Sequence, residues 1–438
     1  MAPDKTVPRP AHKTGHDPGM RVGLTGHAGA AAGHGPSRAA SVHARCASRV
    51  AGRRRAWVLL FLFGCWAPGT LPADGTGAAG GASRSADAPL FNDAHFHLTN
   101  YVQRGITARR YFEMAGDRVG RVAMFGIPLQ QKWDYFVSGA RAPNYYLLSD
   151  AALYYYSFVD AAIAMEYRSL SDAHKARVDP MITGFNPTDM YAADHIRRVL
   201  LTFPGVFSGI GEFSVHKEFV SSKVAGHTAS LRNPALDRIL KAVVEIGLVA
   251  IIHCDIDRVR AGERPVHYDD LLRLLEAHPG ASVIWAHTGL GRFVAPAGQH
   301  LALLDQMLSD ARYDHVALDI SWDEVARYVV RDEEATAAWA ALIEKHPTRF
   351  LFGTDSVAPL NWEAYARTHD VYRPLWERLD AATRAQVERL NYARVFDAAV
   401  PKIRAWERER IGAAAHERAG KQSSAGPAPA NPAGSEDG

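Results

Sequence analysis

The sequence predicts an α/β fold, a (β/α)8 TIM barrel with a long aromatic-rich insertion after the second strand. Short apolar runs recur eight times between residues 91 and 356, and segments of helical periodicity separate most of them. Several of these runs end in a histidine or a carboxylate. Eight strands that alternate with helices are typical of a parallel sheet closed into a barrel.

The eight predicted strands are nearly continuous in hydrophobicity, which suits strands that are buried on both faces. They cover residues 91–97, 121–127, 179–185, 207–213, 248–255, 282–288, 316–322 and 350–356. Helical periodicity is clearest over residues 234–246, 268–278 and 330–345. No glycine-rich phosphate loop follows the first run, which argues against a dinucleotide-binding fold.

The connection between the second and third predicted strands, residues 128–178, is unusually long and rich in Trp, Tyr and Phe. Long loops inside compact domains are often lids or binding loops. A helical layer packed outside the barrel would explain the same composition. Both interpretations are open at the level of sequence.

Length and composition indicate one globular domain with tails. The chain has 438 residues, of which 47% are hydrophobic and 22% are charged, as in ordinary globular proteins. A barrel takes about 250 residues, and up to about 400 with insertions. The net charge of +3 is misleading, because residues 1–65 carry ten Lys or Arg and only two Asp. The remainder is mildly acidic, which argues against a nucleic-acid partner.

The two ends of the chain differ in composition from the predicted barrel domain, residues 89–411. Residues 1–52, rich in Ala, Gly, His and Pro, are interpreted as a disordered leader or a start-site artefact. Three arginines before a short apolar run predict a signal peptide over residues 53–73. Residues 74–88 have the composition of a flexible linker, and residues 412–438 that of a disordered tail.

The predicted signal peptide implies an exported protein, either periplasmic or secreted. Residues 62–65, Leu-Phe-Gly-Cys, resemble a lipobox, so the alternative is a lipoprotein whose only membrane contact is a lipid anchor at Cys65. An uncleaved anchor is a third interpretation. The other cysteines are Cys46 and Cys254, and three cysteines exclude a disulfide framework and a Cys-rich zinc site.

Polar side chains alternate along the first predicted strand, at Asp93, His95 and His97. Alternate residues of a strand point to the same side, so these three are expected to share one face. Three polar groups inside a barrel would be costly unless they had partners. A metal ion would satisfy them, since imidazole nitrogens are natural zinc ligands.

Four further strands end in a histidine or a carboxylate, at Glu212, His253, His287 and Asp355. Each has an ordinary structural explanation when taken alone, as a core histidine, an ion-pair partner or a helix N-cap. Their joint occurrence favours a shared site, because active sites of these barrels lie at the carboxyl ends of the strands. The sequence therefore predicts a metal site at this face.

The set of strand-end residues resembles the amidohydrolase superfamily. That family has His-x-His on the first strand, Lys or a carboxylate on the fourth, histidines on the fifth and sixth, and Asp on the eighth. The segments Gly-Ile-Gly-Glu-Phe at 209–213, Trp-Ala-His-Thr-Gly at 285–289 and Phe-Gly-Thr-Asp-Ser at 352–356 resemble the amidohydrolase-related branch. The resemblance covers roughly residues 90–400 and is unspecific for substrate.

The resemblance implies one or two divalent metal ions, usually Zn2+. The ligands that it implies are His95, His97, Glu212, His253, His287 and Asp355. Asp355 would also act as general base, and His287 would bind a second metal or assist by hydrogen bonding. Glu212 would bridge two metals or orient the ligands of one. Asp93 would be either a ligand or a residue that orients ligands.

The implied function is hydrolysis of an amide, ester, lactone or related bond in a small-molecule substrate, with His216 and Lys217 as candidates for binding an anionic group. The first alternative is non-oxidative decarboxylation of an aromatic or unsaturated carboxylate, in which Asp93 ligates the metal and His287 transfers a proton. The second alternative is metal or substrate binding without turnover. The sequence leaves both a monomer and a homo-oligomer open.

Overall fold

The computed structural model describes residues 88–101, 103–128, 158–217, 229–259 and 264–424. The predicted leader, the signal peptide and the Cys65 anchor lie outside these residues. Residues 74–87 of the predicted linker, 129–157 of the aromatic insertion and 425–438 of the tail also lie outside them.

Parallel strands form one sheet, which confirms the predicted fold class. In chain order they are β1 Phe91–His97, β2 Val119–Phe125, β3 Val178–Ile182, β4 Gly209–Val215, β5 Val249–Cys254, β6 Ser282–Trp285, β7 Val316–Asp319, β8 Phe350–Leu351 and β9 Ser356–Val357. Each strand pairs with the next along the chain from β1 to β8, and β9 returns to pair with β1. A sheet in which the end of the chain returns to the first strand is a barrel.

Helices connect the strands, as the periodicity predicts. They are α1 Ala108–Ala115, α2 Val159–Arg168, α3 Asp172–Lys175, α4 Ala192–Thr202, α5 Pro234–Ile246, α6 Tyr268–Glu276, α7 His300–Leu308, α8 Asp323–Val329, α9 Glu333–Lys345, α10 Trp362–Val371, α11 Arg373–Arg378, α12 Ala381–Ala385 and α13 Asn391–Ser424. Among the described residues, no helix has the length and apolar character that crossing a bilayer requires.

The α5 helix shows how local sequence sets these boundaries. The Asn233 side chain accepts a hydrogen bond from the Ala235 amide at 2.9 Å, which caps the first turn. Pro234 occupies the first helical position, where its missing N–H costs nothing. Gly247 ends the helix with a φ of 82°, a left-handed conformation that favours glycine. The chain then enters β5 directly.

Several predicted boundaries differ from the structure by a few residues, and two of them have a clear physical reason. The sixth strand was expected to reach residue 288 but ends at Trp285, because His287 and Thr288 have φ angles of 58° and 53°. This left-handed backbone cannot continue a strand. The tail was expected to lose structure from residue 412, but α13 continues to Ser424. Residues 413–421 are rich in Ala, Glu, Arg and Lys, which favour helix.

The described end of the long insertion is helical. It contains α2 and α3, and α2 buries Val159 and Ile163 against the barrel. This part fits the interpretation of a helical layer outside the sheet. The aromatic residues at 133–156 lie outside the described residues, so a lid remains a prediction.

Backbone hydrogen bonds close the barrel between its last and first strands. The Ala94 amide donates to the Phe352 carbonyl at 3.0 Å, and the Asp355 amide donates to the His95 carbonyl at 2.7 Å. The predicted eighth strand is interrupted between β8 and β9, where Asp355 has a φ of 47°. This interruption turns the chain at the carboxyl end of the sheet.

The buried Asp93 carboxylate fastens this junction. It accepts hydrogen bonds from the Thr354 amide at 2.8 Å, the Thr354 hydroxyl at 2.6 Å and the Tyr365 hydroxyl at 2.7 Å. The His95 amide donates to it at 3.0 Å. Burial raises the pKa of Asp93 to about 6, although these hydrogen bonds lower it. Asp93 thus ties β1 to the β8–β9 turn and to α10.

The Tyr365→Phe substitution should destabilise the protein, because it removes one donor from a buried carboxylate. We expect the free energy of unfolding to fall by about 1–3 kcal/mol, as measured by urea denaturation. The control is Tyr191→Phe, since Tyr191 is 66% exposed and should change stability by less than about 0.5 kcal/mol. Equal losses in the two variants would contradict the role given to Asp93.

Candidate metal centre

The six residues predicted as ligands converge at the carboxyl ends of the strands. His95 and His97 lie on β1, Glu212 on β4 and His253 on β5, while His287 follows β6. Asp355 lies between β8 and β9, with 11% of its side chain exposed. The other five are buried. Residues more than 250 positions apart in the sequence therefore form one polar cluster.

Asp355 and Glu212 face the two histidines of β1. The His97 Nε2 atom lies 2.9 Å from Asp355 Oδ1 and 3.5 Å from Glu212 Oε2. The His95 Nε2 atom lies 3.5 Å from Asp355 Oδ1 and 3.7 Å from Glu212 Oε2. Two imidazole nitrogens and two carboxylate oxygens thus enclose one small volume.

The second oxygen of Glu212 faces the other two histidines. Glu212 Oε1 is hydrogen-bonded to His253 Nδ1 and lies 3.6 Å from His287 Nε2. Glu212 is placed there by Gly211, whose φ is 107° and where an added Cβ would clash with the Ile251 carbonyl of β5. One carboxylate therefore contacts all four histidines.

The donor set fits a divalent cation. Within the described chain, the buried Nε2 atoms of His95 and His287 have no hydrogen-bond partner, and such atoms normally have one. Ligand atoms lie within 4.8 Å of one another in three groups, His95 with His287 and Asp319, His95 with His97 and Glu212, and Glu212 with His253 and His287. Imidazole and carboxylate are the donors that zinc binds in catalytic sites.

Two residues not predicted from the sequence, Asp319 and Ser321, orient the histidines. Asp319 Oδ2 lies 3.0 Å from His95 Nδ1, and the Ser321 hydroxyl lies 2.8 Å from His287 Nδ1. Asp319 also accepts a hydrogen bond from the His287 amide at 2.8 Å. These contacts leave the Nε2 atoms facing the cluster, which is how hydrogen bonds behind a ligand set its tautomer.

The signal for Asp319 was present in the sequence. It ends the apolar run of β7, Val316–Asp319, in the same way that the predicted ligands end theirs. Asp255 was also missed, and its Oδ1 lies 3.0 Å from His253 Nε2. This contact directs His253 Nδ1 towards Glu212.

Comparison with models of sequence families assigns the chain to one family. The sequence model described as amidohydrolase matches residues 93–398, which include every strand end of the cluster. The chain belongs to the amidohydrolase family. The resemblance inferred from the strand-end motifs is confirmed, over nearly the range that those motifs indicated.

The solved structures to which this amidohydrolase is similar share little sequence with it. A putative 2-pyrone-4,6-dicarboxylic acid hydrolase from Pseudomonas putida is 12% identical, with a TM-score of 0.42 over 70% of this chain and 98% of the other. The dihydroorotase from Campylobacter jejuni is 14% identical, with a TM-score of 0.42 over 70% of this chain and 83% of the other. The 2,6-dihydroxybenzoate decarboxylase from Rhizobium is 14% identical, with a TM-score of 0.42 over 71% of this chain and 99% of the other. A comparison with curated proteins found no match.

The electrostatics of the amidohydrolase site keep both carboxylates ionised. Burial alone would raise the pKa of Glu212, but Lys217 and His253 hold it well below the usual range. Burial would likewise raise the pKa of Asp355, but His95 and His97 hold it well below its usual range. Burial lowers the pKa of His97, which favours the neutral ring with one nitrogen able to accept, whereas neighbouring carboxylates raise the pKa of His95 and His253. Ionised carboxylates and neutral imidazoles are the forms that bind metal.

The structure separates Asp93 from the cluster. Asp93, His95 and His97 were expected to share one face, but the β1–β2 register shifts on both sides of Asp93. Its carboxylate is hydrogen-bonded to Thr354 and Tyr365 instead. Of its two predicted roles, this geometry fits the one that orients ligands, because the Asp93 bonds hold the β8–β9 turn that carries Asp355.

The two candidates for substrate binding point in different directions. His216 stacks on His267 at 3.8 Å between ring centroids, and its Nε2 accepts a hydrogen bond from the Leu231 amide at 3.2 Å. It therefore does not face the cluster. Lys217 is buried, with its Nζ atom 3.6 Å from Glu212 Oε1. Its role towards a substrate remains a prediction.

A cavity of 480 Å³ opens above Asp355. Its wall includes Asn100, Arg292, Trp322, Asp355, Arg367 and Thr368. A second, smaller cavity of 40 Å³ shares Asp355 and Trp322 with the first and is lined by His97 and Lys217. The Trp322 ring lies 5.1 Å from the His287 ring and 5.6 Å from Arg292 Cζ. Among the described residues, the cluster is thus accessible to small molecules on the side of Asp355.

Replacing both histidines of β1, in the variant His95→Ala with His97→Ala, should abolish stoichiometric metal binding. The substitution removes two of the donors that enclose the Asp355 and Glu212 oxygens, and metal per chain should fall at least about tenfold. Elemental analysis after loading with Zn2+ and gel filtration measures it. The control is His346→Ala, because His346 contacts Asp305 away from the cluster. Unchanged metal in the double variant would refute the site.

Proposed function

We propose that this amidohydrolase is a metal-dependent hydrolase that cleaves an amide, ester, lactone or related bond of a small molecule. The observation that carries the proposal is the position of Asp355. Its ionised carboxylate contacts the His95 and His97 imidazoles on one side and lines the 480 Å³ cavity on the other. A base at that boundary can reach both a bound water and a substrate.

The four histidines, Glu212 and Asp355 would hold one or two divalent ions, and we propose Zn2+ because the donors are imidazole and carboxylate. A bound Zn2+ would supply Lewis-acid chemistry, acidifying a water and polarising the scissile carbonyl. Asp319 and Ser321 keep the His95 and His287 rings oriented towards the cluster during this chemistry. The strand ends bury the four histidines and Glu212.

Asp355 would move the proton. Its carboxylate accepts a proton from the attacking water as the water oxygen bonds to the carbonyl carbon. It then donates that proton to the leaving nitrogen or oxygen as the scissile bond breaks. The products are a carboxylic acid and an amine or alcohol, and Asp355 returns to its ionised form. Its low pKa keeps the carboxylate ionised at neutral pH, which is the form that can accept a proton.

Decarboxylation of an aromatic or unsaturated carboxylate is the second candidate. The Trp322 ring and the Arg292 guanidinium line the cavity together, a pairing that would suit a planar anion. The contacts of Asp93 with Thr354 and Tyr365 count against it, because this candidate uses Asp93 as a metal ligand. Binding without turnover is the third candidate.

A substrate panel distinguishes the three functions. The Zn2+-loaded protein is incubated with aryl esters, lactones, amides and aromatic carboxylates, and products are followed by chromatography and by CO₂ release. We expect hydrolysis products that disappear when the metal is removed with a chelator and return when it is restored. CO₂ release without hydrolysis would support decarboxylation, and bound ligand without any product would support the third candidate.

The Asp355→Asn variant should lose activity on the substrate that the panel identifies. An amide cannot accept the proton from water, so we expect kcat to fall by about 10²–10⁴-fold, with the thermal unfolding midpoint nearly unchanged. The control is Asp314→Asn, since Asp314 is an exposed carboxylate whose side chain is 73% accessible. Full activity of Asp355→Asn with normal metal content would refute the role of Asp355 as base.

A further inference from the structure

The cluster contains two groups of side chains that could each hold a cation. The first is His95, His97 and Glu212, which faces Asp355. The second is Glu212, His253 and His287. Glu212 belongs to both groups, with Oε2 directed to the first and Oε1 to the second. A second metal ion would therefore need Glu212 Oε1.

A lysine already lies beside that oxygen. Lys217 Nζ is 3.6 Å from Glu212 Oε1, and the Lys217 side chain is only 6% exposed. The ammonium also lies 5.9 Å from the centroid of the Trp322 ring, and both side chains line the 40 Å³ cavity. Lysine is almost never buried without a charged partner, so the contact with Glu212 explains its position.

The chain turn after β4 directs Lys217 inwards. His216 has a φ of 51°, and its ring is held away from the cluster by the Leu231 amide and the His267 ring. Because neighbouring residues in this turn point in different directions, the next side chain reaches back to Glu212. The turn that follows β4, the strand that carries Glu212, therefore determines the position of Lys217.

We infer that the Lys217 ammonium takes the place of a second metal ion, so that the centre holds one divalent ion, in the group of His95, His97, Glu212 and Asp355. This inference rests on the metal centre of the proposed function. A divalent ion bound by Glu212, His253 and His287 would be close to a fixed positive charge in a site that is screened from water. Repulsion between such charges is several-fold stronger there than in bulk water.

The experiment counts metal equivalents in the full-length protein. Metal-free protein is titrated with Zn2+ by calorimetry, and the bound metal is measured by elemental analysis. We expect one tight equivalent in the wild type, with any second equivalent at least roughly a hundredfold weaker. The Lys217→Met variant, which keeps the length but removes the charge, should bind two equivalents with affinities within about tenfold. Lys217→Arg, which keeps the charge, should bind one.

A spectroscopic readout does not depend on turnover. With Mn2+ in place of Zn2+, the electron paramagnetic resonance spectrum of Lys217→Met should show two spin-coupled ions, and that of the wild type an isolated ion. Lys217→Gln serves as a second charge-removing variant if Lys217→Met does not fold, as judged by circular dichroism.

The outcomes separate the inference from the proposed function. Two tight equivalents in the wild type, or a single equivalent in a folded charge-removing variant, would overturn the inference and leave the proposed function intact. No tight equivalent in the wild type would overturn the metal centre itself, and the inference with it.

Discussion

The site depends on one buried carboxylate that many cationic or polar groups share. Glu212 is 8% exposed and contacts histidines from β1, β5 and the turn after β6, as well as Lys217. An ionised carboxylate in a protein interior is costly unless it is paired and hydrogen-bonded. Because its partners come from separate strands, Glu212 gains them only when the whole sheet has formed. The polar cluster can therefore assemble only when the barrel closes.

The closure of the barrel and the geometry of the metal centre are also linked at the β8–β9 turn. The Asp355 amide donates to the His95 carbonyl, and this same backbone bond joins the last strand to the first. The hydrogen bond from the Thr354 hydroxyl to Asp93 holds this turn against β1, and the Asp355 side chain extends from the turn towards His97. A change in how the barrel closes would move the Asp355 carboxylate relative to the histidines, so stability and geometry are coupled at this point.

The sequence predicts the barrel and all six members of the cluster, because each follows an apolar run and parallel strands end at a common face. It does not predict the partners behind the histidines. Asp319 carries the same strand-end signal, but its contact with His95 spans 224 residues and depends on the order of strands around the barrel.

Departures from regular backbone account for the remaining differences. Alternation along a strand places Asp93 with His95, yet the register shifts in β1 break that alternation. The left-handed backbone of His216 likewise reverses the direction expected for its side chain, and that of His287 ends β6 early. Such departures arise from tertiary packing, and hydrophobic periodicity carries no information about them.

The floor and the wall of the 480 Å³ cavity come from different elements of the fold. Asp355 and Thr354 on the floor are fastened to β1 by buried hydrogen bonds, whereas Glu324 and Arg367 on the wall belong to α8 and α10 at the protein surface. Residues on the wall can mutate with little effect on the strand ends beneath them. Under the proposed function, the fold would thereby let substrate preference change in the helices while the reacting groups keep their positions on the strand ends.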